Sequence, residues 1–161
     1  MEEKEILLKI SNTLKKNKLK IATAESCTGG LIAHTLTNIS GSSDYFDRGI
    51  ISYSNNSKKE LLDVPVNTLK KYGAVSKHVA EAMAEGVRKK SKVDIGLSTT
   101  GIAGPTGGTK EKPVGLVYIA ISSEEKTIIR KYSFNGDRIE NKKNTCFEAL
   151  KLLISFLEQK I

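Results

Sequence analysis

The chain has no tryptophan, two cysteines, three prolines and no long apolar run, and each shortage excludes a class of protein. Two cysteines, Cys27 and Cys146, cannot build a disulfide framework or a Cys-x-x-Cys site, which points to a reduced, intracellular setting. Apolar runs of a few residues fall far short of the roughly 20 that a membrane helix needs. The opening MEEKEILLKISNTLKK is charged from its second residue and is not a signal peptide. The balance of 39% hydrophobic and 27% charged residues excludes disordered, collagen-like and disulfide-scaffold classes. His34 and His78 stand far apart without acidic or cysteine neighbours at ligand spacing, so no metal and no cofactor is expected. A length of 161 residues suits one domain over 1–161, expected to be soluble and cytoplasmic, with no membrane partner.

Charge is the one excess. Lys and Arg number 26 against 18 Asp and Glu, a net +8, which raises the question of a nucleic-acid partner. The surplus is spread out: residues 1–20 hold six Lys and three Glu, and residues 124–161 hold eight basic and six acidic residues. Zinc-finger spacing and RNP-like aromatic motifs are both lacking. An anionic small molecule explains the charge as well, and no nucleic acid is expected.

Ile6, Leu7, Ile10 and Leu14 repeat at helical spacing and predict a first helix over about 3–16. Residues 19–24 read as a strand, and Gly29-Gly30 opens a second helix carrying Leu31, Ile32, Thr35 and Leu36. Residues 49–54 read as a strand and 57–62 as a short helix before Pro65. Ser76 N-caps a long helix with Val79, Ala80, Met83, Ala84 and Val87 on one face. A strand at 93–100, a Gly/Pro-rich loop at 101–113 and a hairpin of 114–121 with 127–132 follow. The last helix starts near Arg138 and buries Cys146, Ala149, Leu150, Leu153 and Leu157. Helices alternating with strands predict an α/β fold, a three-layer α/β/α sandwich around a mixed, mostly parallel sheet. Sites in such sheets lie where strands end.

Three strand ends hold unusual residues. Thr23 to Gly30 is a turn dense in small hydroxyls, with free amides suited to an anion or oxyanion. Taken alone, Ser26 and Thr28 read as N-caps, and Cys27 as either a nucleophile or inert packing. Tyr53 to Glu60 carries Lys58 and Lys59, which by spacing alone read as solvated charges. A desolvated lysine there would act as a base. Ser98 to Thr109 is glycine-rich but has neither a dinucleotide fingerprint nor a Walker A pattern. Four glycines within thirteen residues, Gly101 and Gly104 among them, are expected to let its backbone approach a ligand closely.

Together, Ala-Glu-Ser-Cys-Thr-Gly-Gly (24–30), Gly-Ile-Ile-Ser-Tyr-Ser-Asn (49–55) and Thr-Gly-Ile-Ala-Gly-Pro-Thr-Gly-Gly (100–108) resemble the CinA C-terminal domain family. Gly-Ala-Val-Ser (73–76), Lys-Pro-Val-Gly (112–115) and Phe-Asn-Gly-Asp-Arg (134–138) extend the resemblance, in order, over essentially the whole chain. It implies a nicotinamide-nucleotide amidase that converts nicotinamide mononucleotide (NMN) and water to nicotinic acid mononucleotide and ammonia. The implied form is a stand-alone, homo-oligomeric one, without the N-terminal domain of longer members. The resemblance also implies a metal-free Ser/Lys mechanism with Ser26 as nucleophile, Thr28 as the alternative hydroxyl, and Lys58 as base. Glu25, Thr28, Gly29, Gly30, Tyr53, Asn55, Thr100, Gly101, Gly104 and Arg138 are the implied substrate contacts. Arg138 is the candidate for the phosphate, and Lys142 stands where an arginine is expected. The rival reading is a non-catalytic nucleotide-binding or regulatory module. If the metal-free expectation holds, NMN turnover survives exhaustive EDTA treatment; loss of ammonia release restored by one divalent ion overturns it.

Overall fold

A computed structural model describes residues 1–159; the last two positions of the expected domain lie outside it. The elements run α1 (Glu3–Lys16), β1 (Ile21–Glu25), α2 (Leu31–Leu36), β2 (Phe46–Ile51), α3 (Asn55–Leu62), α4 (Val66–Tyr72) and α5 (Lys77–Ser91). Then come β3 (Ile95–Gly101), β4 (Leu116–Ser122), β5 (Thr127–Ser133) and α6 (Arg138–Leu157). The five strands form one sheet in the order β2-β1-β3-β4-β5. β1 pairs in parallel with β2 and β3, whereas β3-β4 and β4-β5 are antiparallel. Parallel and antiparallel pairs are therefore equal in number, and "mostly parallel" holds only as direction, with β4 alone running against the other four strands. The hairpin causes this, because its tight turn forces β4 and β5 to oppose each other.

Helices cover both faces, completing three layers. On one face, Ile6, Ile10 and Leu14 of α1, Ile32 and Leu36 of α2 and Leu150 and Leu153 of α6 pack on Ile21, Leu97 and Ile119. On the other, Val79, Met83 and Val87 of α5 meet Ala22 and Ala24, with Leu62 and Val64 beside them. The alternation along β1 explains the split: Ile21 points to the first face, Ala22 and Ala24 to the second.

Two departures from the sequence reading have simple causes. Helix α4 went unread because none of its residues is buried, so it leaves no apolar period. Strand β2 begins at Phe46, three residues before the expected start, and its polar Asp47 and Arg48 lie on the exposed sheet edge.

Helix α5 reaches the C-terminal end of α3 through Gly86. A Cβ there would stand 2.0 Å from the Leu62 carbonyl oxygen. Gly→Ala inside a helix ordinarily gains about 1 kcal/mol. Here the clash with fixed backbone outweighs that gain, so Gly86→Ala should destabilise the fold by about 1–3 kcal/mol. A urea midpoint that rises instead would show that α3 yields freely.

Candidate active site

The chain leaves β1, forms β2 on one side of it, and returns through α3–α5 to form β3 on the other side. Loops diverging from such a central strand open a crevice at its C-terminal end. Ser26 is the first residue past β1. Its amide donates to the Thr99 carbonyl at 3.0 Å, and the Ser52 amide donates to the Glu25 carbonyl at 2.8 Å.

Lys58 reaches the same point from α3. Ser54 caps that helix: its hydroxyl accepts from the Ser57 amide at 3.0 Å, while the Ser57 hydroxyl accepts from the Ser54 amide at 3.1 Å. The cap sets the phase of the helix so that Lys58 and Leu62, four residues apart, face inward while Lys59 stays exposed. Lys58 is only 1% exposed and Ser26 8%. Lys58 Nζ lies 2.9 Å from Ser26 Oγ, 2.7 Å from the Ser52 carbonyl oxygen and 3.3 Å from that of Tyr53. Among the described residues no carboxylate is its partner, and burial pushes its pKa down from 10.5 to about 8.

Those three neighbours fit a neutral amine. Two of them are carbonyls, which only accept and so take the two N–H bonds. The lone pair is left for the Ser26 hydroxyl proton. In the ammonium form the third N–H donates to Ser26 Oγ instead, so protonation reverses the direction of one hydrogen bond.

The other residues of the first motif build the turn. Glu25 is buried and points away from the crevice: Oε1 accepts from the Thr28 hydroxyl at 2.6 Å and the Ile32 amide at 2.9 Å, and Oε2 accepts from the Ala33 amide at 3.0 Å. It satisfies the first amides of α2, a capping role. The Thr28 hydroxyl, 2.8 Å from Thr99 Oγ1, is committed to this network and has no amine beside it. Burial pushes the Cys27 thiol up to about 12, which suits packing and not attack. Gly29 and Gly30 take φ of +61° and +102°, a reversal that a β-carbon would penalise. Among the described residues, the amides of Thr28 and Gly30 donate to no backbone carbonyl, while the Cys27 amide turns toward its own thiol.

The glycine-rich loop answers differently from expectation. Thr100 is buried, its hydroxyl donating to the Ala74 carbonyl at 2.8 Å. A Cβ on Gly101 would meet Val117 Cγ2 at 2.6 Å and the Leu116 carbonyl oxygen at 2.7 Å, and one on Gly104 would meet Val114 Cγ1 at 2.4 Å. The close approach that these glycines permit is therefore to β4 and the segment before it, within the chain itself. Asn55 is the exposed first residue of α3. Arg138 donates to the Gly104 carbonyl at 2.7 Å and to the Tyr53 hydroxyl at 2.9 Å. Lys142 Nζ would lie 3.6 Å from a Cβ on Gly29, above the same turn.

Sequence reasoning missed Ser52, Thr99 and Asn141. The buried Asn141 amide donates to the Ala103 carbonyl at 3.0 Å and accepts from the Gly136 amide at 3.0 Å, tying the loop to α6. A polar residue in phase with Thr145 on the buried face of α6 was the available signal. A cavity of about 450 Å³ adjoins Arg138, walled by Ala103, Pro105, Val114 and Ile139. A larger one of about 600 Å³, beside Leu19, Asp94 and Ser123, lies at the other end of the sheet, away from Ser26.

The model of the CinA C-terminal domain matches residues 3–157. The chain belongs to the CinA C-terminal domain family. A competence-damage inducible protein of Thermoanaerobacter pseudethanolicus is 49% identical over 156 residues, covering 97% of this chain and 37% of that protein. A CinA-like protein of Syntrophus aciditrophicus is 51% identical over 149 residues, covering 92% and 36%. This CinA-family chain thus spans a little over a third of the length of those relatives. A competence/damage inducible protein from Agrobacterium tumefaciens superimposes with a TM-score of 0.93 at 40% identity, over 97% of this chain and 95% of that one. A CinA-superfamily protein from Klebsiella pneumoniae gives 0.94 at 27% identity, over 99% of each.

The buried amine has a measurable signature in stability. With a folded pKa of about 8 against 10.5 unfolded, the folded CinA domain binds fewer protons across that window. Stability contributed at Lys58 therefore rises with pH between those values. Lys58→Met lacks this rise. The stability of the wild type relative to the variant should increase by on the order of 3 kcal/mol across the window, other titrations cancelling in the difference. A pH-independent difference in denaturation would mean that Lys58 titrates normally.

Proposed function

We propose that this chain hydrolyses the carboxamide of NMN to nicotinic acid mononucleotide and ammonia, in a cytoplasmic setting and without nucleic-acid or membrane partners. One observation carries the chemistry: a buried amine with no carboxylate partner stands 2.9 Å from a serine hydroxyl at a loop crevice. The choice of a nicotinamide nucleotide as substrate rests on the resemblance of the motifs to the CinA C-terminal domain family. Among the described residues, no helix is long and apolar enough to cross a membrane.

The steps balance as follows. Neutral Lys58 takes the Ser26 proton as Oγ attacks the carboxamide carbon. The carbonyl oxygen becomes an oxyanion, for which the Thr28 and Gly30 amides, bonded to no backbone carbonyl, are the nearest donors in sequence. Lys58 passes the proton to the departing nitrogen, which leaves as ammonia, and an ester to Ser26 remains. Water then attacks that ester, Lys58 accepts its proton, and Ser26 recovers a proton as the acid departs. One lysine serves as base and acid in turn, so no metal has a task here.

Ammonia release from NMN by the purified chain is the direct test. Ser26→Ala should abolish turnover while leaving NMN binding largely intact, and Lys58→Ala should lower turnover by a comparable factor, since the pair acts as one unit. Because the free enzyme needs neutral Lys58, kcat/KM should climb with pH and level off above about 8. Intact protein that binds NMN without releasing ammonia would favour a binding or regulatory module. Full activity in Ser26→Ala would hand attack to another group.

A further inference from the structure

Arg138 stands where helix electrostatics disfavours it. It is the first residue of α6, at the positive end of the helix dipole. The adjacent Asp137 carboxylate is taken by the Glu140 amide at 2.9 Å. Among the described residues Arg138 has no ion pair, and its guanidinium is bonded only to a carbonyl and a phenol. Both are neutral acceptors, and charged acceptors bind a guanidinium about twice as strongly.

Its two partners decide what the contact does. Tyr53 follows β2, Gly104 follows β3, and β1 lies between those strands in the sheet. A link from Tyr53 to Gly104 must therefore pass over the end of β1, where Ser26 begins the turn. The Tyr53 carbonyl also holds Lys58 Nζ at 3.3 Å, so the residue gripped by Arg138 is one that positions the amine. Tyr53 is 60% exposed, and its hydroxyl takes the Arg138 guanidinium at 2.9 Å.

We propose that Arg138 is a specificity-determining strap: it bridges Tyr53 and Gly104 over Ser26, and a phosphate-monoester anion on the substrate draws the guanidinium off both. The crevice then opens to anionic carboxamides and stays closed to neutral ones. This rests on the amidase reading for its substrate but not for its geometry. Tyr53 is a positioning residue in this scheme, and the gain from a charged acceptor drives the opening.

The test reads access to Ser26 separately from NMN turnover. Phenylmethanesulfonyl fluoride is neutral and sulfonylates an activated serine, forming an Oγ–S bond and releasing fluoride; intact mass reports the rate, with Ser26→Ala as the blank. Tyr53→Phe and Arg138→Met should both label about tenfold faster than wild type, the order expected when lost hydrogen bonds shift an open–closed equilibrium. Ribose 5-phosphate should speed wild-type labelling, and ribose should not. In turnover, the preference for NMN over neutral nicotinamide riboside should shrink in both variants. Tyr53→Phe, a conservative change at an exposed side chain, keeps the test valid if Arg138→Met folds poorly. Equal labelling of wild type and variants, or slowing by ribose 5-phosphate, overturns the strap. Faster labelling with no NMN turnover in wild type supports the strap and removes the amidase reading.

Discussion

A lysine amine buried beside a serine, with no carboxylate to balance it, is the constraint on which the rest of the site depends. An uncompensated ammonium in that position is costly, and the cost is met by lowering its proton affinity and supplying two carbonyl acceptors. Ordinary ion pairing would have been easier to fold and would have kept the amine protonated. Leaving out the acid makes Lys58 competent to accept a proton near neutral pH. The capping box at Ser54–Ser57 and the phase it imposes on α3 exist in the same few residues, so local helix geometry and the state of the amine are one device.

The acids of the crevice are spent on the frame. Glu25 fills the N-terminus of α2, and Asp137 with Glu140 closes that of α6. These two helix starts, like that of α3 with its Ser54 cap, are thus capped internally, which removes the usual seat for an anion. In the proposed function, attraction of the anionic substrate falls to the side-chain cations Arg138 and Lys142 and to loop amides. The same contacts keep these carboxylates off Lys58, because each is held by backbone donors at the helix start it caps.

The glycine-rich loop belongs to the same logic of a rigid frame. Gly101 and Gly104 let it lie against β4 and Val114, while Asn141 and Arg138 hold Ala103 and Gly104 from α6. The glycines permit tight packing inside the chain, and the α6 side chains aim the loop at the crevice.

The layered fold was legible from periodicity alone, since α1, α5 and α6 each bury one stripe and the strands of the sheet core are apolar. Helix α4 was not, because a helix with no fully buried residue writes no clear period. The motifs around Ser26, Lys58 and Gly101 pointed to a family, but adjacent lysines at 58 and 59 look alike in sequence. Only the phase of α3, readable in hindsight from Leu62 four residues on, separates a buried amine from a solvated one. Glu25 shows the opposite limit: a carboxylate beside Ser26 reads as chemistry, and whether it faces ligand or helix depends on where α2 starts. Sequence by itself determined which residues can form helices, strands and tight turns, because these follow from local backbone and side-chain preferences. Tertiary structure alone decided which polar groups lose their water and which partners replace it, because desolvation is set by residues dozens of positions apart, such as Ser26, Lys58 and Thr99.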